Sequence, residues 1–316
     1  MLLLLLACMP KSLVPPPPDA SVLRSELLID GTMQQRLSSE AADLVVIYGG
    51  EQKGSMDTCG CPRRPRGSLP RLGAYVEAIQ RSEVPMVLVN PGYWLEDAQG
   101  FDGVQRADVA AMDRWMIQGM KMLPWSGINL APQDLAALVS VQEEAKGLPM
   151  LSANAQGAPP YQIIEVGGLK VGITGIAGPV PTLTDPLYRL QDPAAAGVVI
   201  EELSPKVDVV ILLAYQASDA AKRLAERYPA IDVVVDAAGY RDYFQPLVVG
   251  HAVWVFSHYQ TMRLGELRLR LQDGSVIGAL DRQVDLDPSM PEHPKLATML
   301  RQAKTEIDAL QQQLFQ

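Results

Sequence analysis

With 316 residues (34.3 kDa), of which 48% are hydrophobic and 20% charged, the chain is long enough for one large globular domain or two small ones. A net charge of -9 and a pI near 4.9 exclude a sequence-blind nucleic-acid binder, which needs a basic face. Three histidines, all after residue 250, argue against a His-built metal centre, and three cysteines exclude a disulfide-dense scaffold or a four-thiolate zinc site.

The first eight residues resemble the leader of a bacterial lipoprotein. Met1–Leu6 is a short apolar run, and Ala7-Cys8 follows it like a lipobox, whose cysteine becomes the lipidated first residue. The run is far below the roughly 20 residues that span a bilayer. We expect residues 1–8 to provide a lipidated Cys8, anchored in a membrane on the periplasmic side of the bacterial cell envelope. The alternative is a chance run of leucines.

Residues 9–40 are predicted to form a tether, because Pro15–Pro18 stiffens the chain into an extended spacer. Behind it, residues 41–147 alternate between short apolar runs and helical periodicity. The predicted strands are 41–48, 85–90 and 127–130, and the predicted helices are 69–82, 104–123 and 133–147.

Residues 161–285 are typical of strands and hairpins. A hairpin is predicted over 161–175, turning at Gly167-Gly168. Further strands are predicted at 207–213, 231–235, 252–257 and 262–271, with a helix at 218–228. Strand–helix alternation followed by hairpins indicates one layered α/β domain over residues 41–285.

The C-terminal segment 286–316 carries an amphipathic helix. Apolar residues between Leu296 and Leu314 recur at spacings of three and four, which places them on one stripe of a helix beginning at Pro294. We expect this helix to pack on its own domain. The alternative is that residues 294–316 are offered to a partner or to a second copy.

The order of the apolar segments resembles the periplasmic 5'-nucleotidase branch of the calcineurin-like metallophosphatases. The segments that carry the resemblance are LVVIYGGEQKG (44–54), PMVLVNPGYWL (85–95), GINLAPQDL (127–135), LPMLSANA (148–155), EVGGLKVGITGI (165–176), VDVVILLAY (207–215), PAIDVVVDAAGY (229–240) and RLGELRLRL (263–271). The resemblance implies a layered β-sandwich of mixed sheets flanked by helices. It is closer to an envelope subgroup whose first loop carries Cys-Gly-Cys, here Cys59-Gly60-Cys61.

The chemistry that the resemblance implies is missing from the matching positions. Where the family has Asp-x-His after its first strand and Gly-Asp after its second, this chain has Glu51-Gln52-Lys53 and Gly92-Tyr93. The family's Gly-Asn-His-Glu is replaced by Ala131-Pro132-Gln133-Asp134. Its lone His is replaced by Tyr215, and its Gly-His-x-His by Ala237-Ala238-Gly239-Tyr240. A two-metal phosphoesterase holds its two cations about 3.5–4 Å apart and needs several N and O donors around them. Two isolated carboxylates cannot supply that set, and the charge of Lys53 opposes cation binding. We therefore expect no metal, no cofactor and no catalytic residue.

A degenerate polar pocket is expected where the metals would lie. Its predicted residues are Glu51, Lys53, Tyr93, Gln133, Asp134, Tyr215 and Tyr240. Such a pocket could hold a small ligand, but an ion pair between Lys53 and a carboxylate is the favoured outcome.

Cys59 and Cys61 form the strongest remaining chemical signal. A Cys-Gly-Cys pair can close a strained disulfide, and nearby positive charge lowers a thiol pKa. A structural staple or loop clamp, redox exchange, and soft-metal binding with a partner's ligands are all open. The neighbouring arginines are candidates for binding an anion or an acidic partner, or they form a solvated basic loop: Arg63, Arg64, Arg66 and Arg71.

Three functional hypotheses follow. The first is a catalytically inactive, metallophosphatase-like lipoprotein that acts as a binding or scaffold subunit of an envelope protein complex. The second is a divergent metal-dependent phosphoesterase, and the third is a thiol redox component that uses Cys59 and Cys61.

Overall fold

The computed structural model describes residues 23–28, 41–60, 63, 65–96, 106–179, 190–237 and 245–314. The strands are β1 (Leu23–Leu28), β2 (Leu44–Tyr48), β3 (Met86–Asn90), β4 (Trp125–Asn129), β5 (Met150–Leu151), β6 (Tyr161–Val166), β7 (Leu169–Ala177), β8 (Val209–Tyr215), β9 (Val233–Ala237), β10 (Leu247–Val249), β11 (Ala252–Phe256), β12 (Arg263–Gln272) and β13 (Ser275–Asp285). The helices are α1 (Leu69–Arg81), α2 (Ala107–Lys121), α3 (Pro132–Ala145), α4 (Ala196–Leu203), α5 (Ser218–Arg227) and α6 (Pro294–Leu314).

Two mixed sheets form the centre of the fold. One has seven strands in the order β1-β13-β12-β2-β3-β4-β5, with β2 to β5 parallel and β12 antiparallel to both of its neighbours. The other has six strands in the order β10-β11-β9-β8-β7-β6, with parallel β7, β8, β9 and β11 between antiparallel edges. Together with the flanking helices, they confirm the predicted layered α/β class.

Burial on both faces explains why the parallel strands read as uninterrupted apolar runs. In β2, Leu44 and Val46 join a cluster that includes Ile173 and Ile211 of the other sheet. Their neighbour Val45 faces the opposite way, into a cluster with α1, α2 and α6. Since successive side chains alternate between the faces of a sheet, both sets must be apolar.

The C-terminal helix α6 packs on α1 and α2. Leu296, Met299 and Ala303 are buried, and the carboxylate of Glu306 accepts hydrogen bonds from Arg114 (3.1 Å) and Trp115 (2.8 Å) of α2. The apolar stripe is therefore used mainly inside the domain, as the first of the two alternatives expects. A contact with a partner would have to use the exposed polar face of this helix.

Five of these strands and helices were not predicted from the sequence. β1 lies within the segment expected to be a tether, and it pairs in parallel with β13. β5, β10, β13 and α4 fall in stretches to which no element was assigned. Among the described helices, none combines the length and apolar character required for a membrane span.

Candidate functional site

The candidate site lies where parallel strands of both sheets end. The chain after β2 hydrogen-bonds to the chain after β3, because Glu51 N–H donates to Gly92 O (3.0 Å) and Lys53 N–H donates to Tyr93 O (3.1 Å). At the start of α3, Gln133 Nε2 donates to the hydroxyl of Tyr215 at the end of β8 (3.1 Å). This group of strand ends, called the site edge below, holds six of the seven predicted pocket residues. The seventh, Tyr240, lies outside the described residues.

Asp134 is a fully buried carboxylate that binds backbone amides. One oxygen, Oδ1, accepts from the N–H groups of Trp94 (2.8 Å) and Leu95 (2.9 Å). The other accepts from Tyr93 N–H (2.7 Å) and from Ala131 N–H (2.9 Å), which closes the first turn of α3. Burial raises the pKa of Asp134 to about 7, although the four N–H donors act in the opposite direction. Both oxygens hold the loop after β3, so Asp134 is a structural residue here.

Lys53 lies between two aromatic rings. Its Nζ is 4.8 Å from the ring centroid of Tyr93 and 4.2 Å from that of Tyr259, distances typical of cation–π contacts. Within the described residues, no ion pair joins Lys53 to Glu51 or Asp134. The favoured expectation of a lysine–carboxylate pair is therefore wrong, because tyrosine faces stabilise the ammonium group instead.

Glu51 is the second buried carboxylate of the site edge. The residue is 2% exposed, and its Oε2 atom has no hydrogen-bond partner. Burial raises its pKa, while the positive charge of Lys53 lowers it by a smaller amount. Its burial therefore disfavours the charged form relative to an exposed glutamate.

Tyr215 and Tyr93 fill the space between these groups. Their rings pack edge to face, with centroids 5.8 Å apart. Burial and the nearby charges of Glu51 and Asp134 raise the pKa of Tyr215, so its hydroxyl keeps its proton. Tyr215 is only 2% exposed. The site edge is thus buried at Tyr215, whereas Lys53 and Tyr93 are partly exposed.

Two asparagines at this edge were missed by sequence reasoning. Asn90 Nδ2 donates to Gln52 Oε1 (2.9 Å), and Asn90 Oδ1 accepts from Gly92 N–H (2.9 Å). Asn129 Nδ2 donates to Pro91 O and to Ile176 O, both at 2.9 Å. Each asparagine is the last residue of a buried apolar strand, and that position is the signal that could have identified them.

These side chains do not fit a two-metal centre. In the part of the chain that the structure describes, no group of three or more His, Cys, Asp or Glu side chains could hold a metal ion. Both oxygens of Asp134 are taken by amides, and the ammonium group of Lys53 lies nearby. Metal-assisted hydrolysis therefore cannot be derived from these residues.

The thiol loop, defined as residues 58–67, is closed at its base. Thr58 and Gly67 form an antiparallel bridge, Cys59 N–H donates to Arg66 O (2.7 Å), and Arg66 N–H donates to Cys59 Sγ (3.3 Å). These contacts favour the loop-clamp interpretation for Cys59. Cys61 lies outside the described residues, so its pairing with Cys59 stays a prediction.

Two of the four predicted arginines have internal partners. Arg71 is buried, and its Nη1 donates to Gly67 O (3.1 Å) and Leu286 O (3.4 Å). Arg66 pairs with the buried Asp285 (3.3 Å). Arg63 is exposed, and Arg64 lies outside the described residues. Arg66 and Arg71 therefore fasten the thiol loop to the end of β13, and Arg63 is better placed to meet an anion.

The fold is similar to that of several solved hydrolase structures, 5'-nucleotidases among them. The sulfate thiohydrolase SoxB of Thermus thermophilus shares 14% sequence identity (TM-score 0.71), and the match covers 84% of this chain and 61% of that one. A 5'-nucleotidase precursor, also from Thermus thermophilus, shares 17% sequence identity (TM-score 0.67), and the match covers 85% of this chain and 60% of that one. The NAD nucleotidase of Haemophilus influenzae shares 13% identity (TM-score 0.66), and the match covers 84% of this chain and 60% of that one. No protein-family model and no curated protein matches the sequence. The chain spans about three fifths of the length of these structures.

Proposed function

We propose that this protein is a non-catalytic binding or scaffold subunit built on a metallophosphatase-like fold. The observation that carries the proposal is the use of the site edge for internal contacts. Asp134 binds four backbone amides, Lys53 binds two tyrosine rings, and the buried Tyr215 packs against Tyr93. A hydrolase would need these groups to face substrate or cations instead.

The proposed setting is the bacterial envelope. The lipobox-like Cys8 would carry a lipid, and residues behind it would link the lipid to the domain. Its partner would be a protein of an envelope complex. The thiol loop, with the exposed Arg63 at its surface, and the polar face of α6 are the proposed contact regions. The two regions are neighbours, because Lys304 of α6 pairs with Asp57 (2.6 Å), the residue that precedes the thiol loop.

The test is a combined metal and turnover measurement. We expect the full chain, incubated with Mn²⁺ or Zn²⁺ and then desalted, to retain no bound metal. It should hydrolyse p-nitrophenyl phosphate, bis-p-nitrophenyl phosphate and 5'-AMP at the rate of buffer alone. Glu51→Gln and the surface control Glu77→Gln should behave identically.

One outcome would establish the alternative, a divergent phosphoesterase. The likeness to proteins described as nucleotidases favours it, as does Glu51, whose buried Oε2 atom has no hydrogen-bond partner. A metal-dependent rate that Glu51→Gln lowers and Glu77→Gln leaves unchanged would overturn the scaffold proposal.

The thiol alternative has its own measurement. The backbone contacts of Cys59 favour a loop clamp, so thiol titration before and after mild reductant should give the same count. A count that rises by two thiols under mild reduction would favour redox exchange at Cys59 and Cys61.

A further inference from the structure

Three arginines, called the arginine cluster below, converge on the end of β13. Arg66 Nη1 donates to Oδ1 of Asp285, the last residue of β13 (3.3 Å), and Arg263 Nε donates to the same oxygen from the opposite position of β12. Arg71 Nη1 donates to the next carbonyl, Leu286 O (3.4 Å). Guanidinium groups of the thiol loop, of α1 and of the sheet therefore meet at one place.

Arg263 is the most deeply buried member of the cluster, and one of its nitrogens has no acceptor. Its side chain is 6% exposed, and its Nη1 atom is buried without a hydrogen-bond partner. The N–H groups of a guanidinium point in fixed directions, so a carboxylate that accepts from Nε does not also reach Nη1. A buried donor of a charged group costs free energy when it is left unpaired. This N–H group calls for an acceptor beyond Asp285.

The charges around Arg263 are not balanced. Within the described residues, Asp285 is the one carboxylate that pairs with Arg66 or Arg263, and both guanidiniums share its Oδ1 atom. Two positive charges therefore face one negative charge in a largely buried position. Removing a cation from water is costly unless a counter-charge accompanies it. One further negative charge would neutralise the pair of guanidiniums.

The other ionisable groups near the cluster do not supply this charge. Asp57 pairs with Lys304 (2.6 Å), and Glu292 pairs with Arg71 (3.5 Å). Burial lowers the pKa of His258, and the charges of two cluster arginines lower it further, although Asp285 acts in the opposite direction. His258 is therefore neutral at pH 7. The excess positive charge stays on the arginines.

The cluster is connected to the thiol loop through Arg66. Its side chain is 18% exposed, so the cluster reaches the surface at this residue. The backbone of Arg66 exchanges two hydrogen bonds with Cys59, from Arg66 N–H to Sγ (3.3 Å) and from Cys59 N–H to Arg66 O (2.7 Å). A ligand that fixes Arg66 would therefore also fix Cys59.

We propose that Arg66 and Arg263 form a carboxylate-binding site at the base of the thiol loop. The excess of one positive charge matches a monoanion, and the forked N–H groups of guanidinium match the two oxygens of a carboxylate. The bound group accepts from Arg263 Nη1 and holds the thiol loop closed through Arg66. It belongs to a free organic acid or to an acidic side chain of another protein. The site depends neither on a lipid anchor nor on the absence of hydrolysis.

Binding is measured through the reactivity of Cys59. The full chain with Cys8→Ser and Cys61→Ser keeps Cys59 as its only cysteine, and the uncharged reagent N-ethylmaleimide modifies it. Sodium acetate is titrated against sodium chloride at constant ionic strength. We expect acetate to slow the modification saturably, by about tenfold at ten times its half-saturating concentration, because the bound form holds Cys59 against Arg66.

A pair of buried arginines locates the site. Arg263→Gln removes the unpartnered donor and should abolish the effect of acetate. Arg282→Gln is the control, because Arg282 is similarly buried on the neighbouring strand but pairs with Glu26 and Glu266. It should keep the effect. Far-ultraviolet circular dichroism establishes that each variant is folded.

A second pair lies on the thiol loop and spares the core, so it decides the matter if Arg263→Gln does not fold. Arg66→Gln should raise the half-saturating concentration of acetate about tenfold or more, because a charge-assisted hydrogen bond is lost. Arg63→Gln, on the exposed part of the same loop, should leave it unchanged.

Two peptides distinguish the sources of the carboxylate. A blocked tripeptide with a central glutamate presents a side-chain carboxylate, and the same peptide with glutamine does not. Protection of Cys59 by the glutamate peptide alone of the two would support a protein as the source, whereas protection by acetate alone would support a free organic acid.

Three results would overturn the site. Chloride could slow the modification as strongly as acetate does, or the effect of acetate could survive in Arg263→Gln and Arg66→Gln. Protection by inorganic phosphate at lower concentrations than acetate would contradict the match to a carboxylate monoanion.

Discussion

Asp281 is a buried carboxylate whose protonation is coupled to folding. It accepts hydrogen bonds from the Tyr48 hydroxyl (2.6 Å) and Gln283 Nε2 (2.9 Å). Burial raises its pKa to about 6 from the ordinary 3.8, against these two hydrogen bonds. The folded state therefore binds the proton more tightly than the unfolded state, and the stabilisation is fully present below pH 3.8 and lost as pH rises through 6.

Replacing Asp281 by Asn should remove this dependence. We expect the free energy of unfolding of the parent chain, relative to Asp281→Asn, to fall by about 2 kcal/mol between pH 4 and pH 7. Urea unfolding at a series of pH values measures the difference. The exposed Asp192→Asn should leave the slope of the parent chain unchanged. A slope equal in the parent and in Asp281→Asn would contradict the assignment.

For individual residues, the sequence allowed the members of the site edge to be predicted, but it did not reveal the contacts that they make. Glu51, Tyr93 and Asp134 could be brought together because each follows a buried strand of one parallel sheet. The second ring over Lys53 could not be predicted, because Tyr259 lies in a 3₁₀ turn more than 200 residues away in the chain. Nor does a sequence show that one carboxylate accepts four amides, since this depends on the path of the loop after β3.

Among the elements, α6 is stabilised mainly by its first half. Leu296 is fully buried against α1, whereas Leu314, near the other end of the helix, is half-exposed. Leu296→Ala should lower the free energy of unfolding by about 2–5 kcal/mol through lost contacts and a cavity. Leu314→Ala should change it by less than about 0.5 kcal/mol.

Chemical unfolding measures the free energy of unfolding of both variants. The two are matched because each replaces a leucine of the same helix by alanine. Equal effects would indicate that α6 is not seated on α1 and α2 as the structure describes. In that case the helix would be available to a partner through its apolar stripe.

Elements with strong periodicity were predictable, and edge elements were not. The apolar runs of β2, β3 and β8 reflect burial on both faces, which sequence displays directly. β1 alternates weakly over six residues (LRSELL) behind a proline-rich segment, so its own sequence does not favour a strand. It is held by pairing with β13 and by Glu26, and both are tertiary interactions.

In the whole molecule, the two sheets are joined by a polar contact at the site edge. Asn129 ends β4 of the seven-stranded sheet, and its amide donates to Ile176 O of β7 in the other sheet. The strands approach closely there because position 175 is glycine. A Cβ on Gly175 would overlap the side-chain oxygen of Asn129. The close approach of the sheets at this point therefore depends on one asparagine and one glycine.

Gly175→Ala should force the two sheets apart at this point and cost about 1–3 kcal/mol of stability, as overpacking does in other cores. Gly278→Ala, on β13, is the matched control, because the nearest heavy atom to an added Cβ is 3.8 Å away. Near-ultraviolet circular dichroism and urea unfolding would measure both variants. Since the contact closes the site edge, Gly175→Ala should also raise the accessibility of Tyr215 to iodination, whereas Gly278→Ala should not. Unchanged stability together with unchanged iodination would mean that the contact between Asn129 and β7 does not hold the sheets together at the site edge.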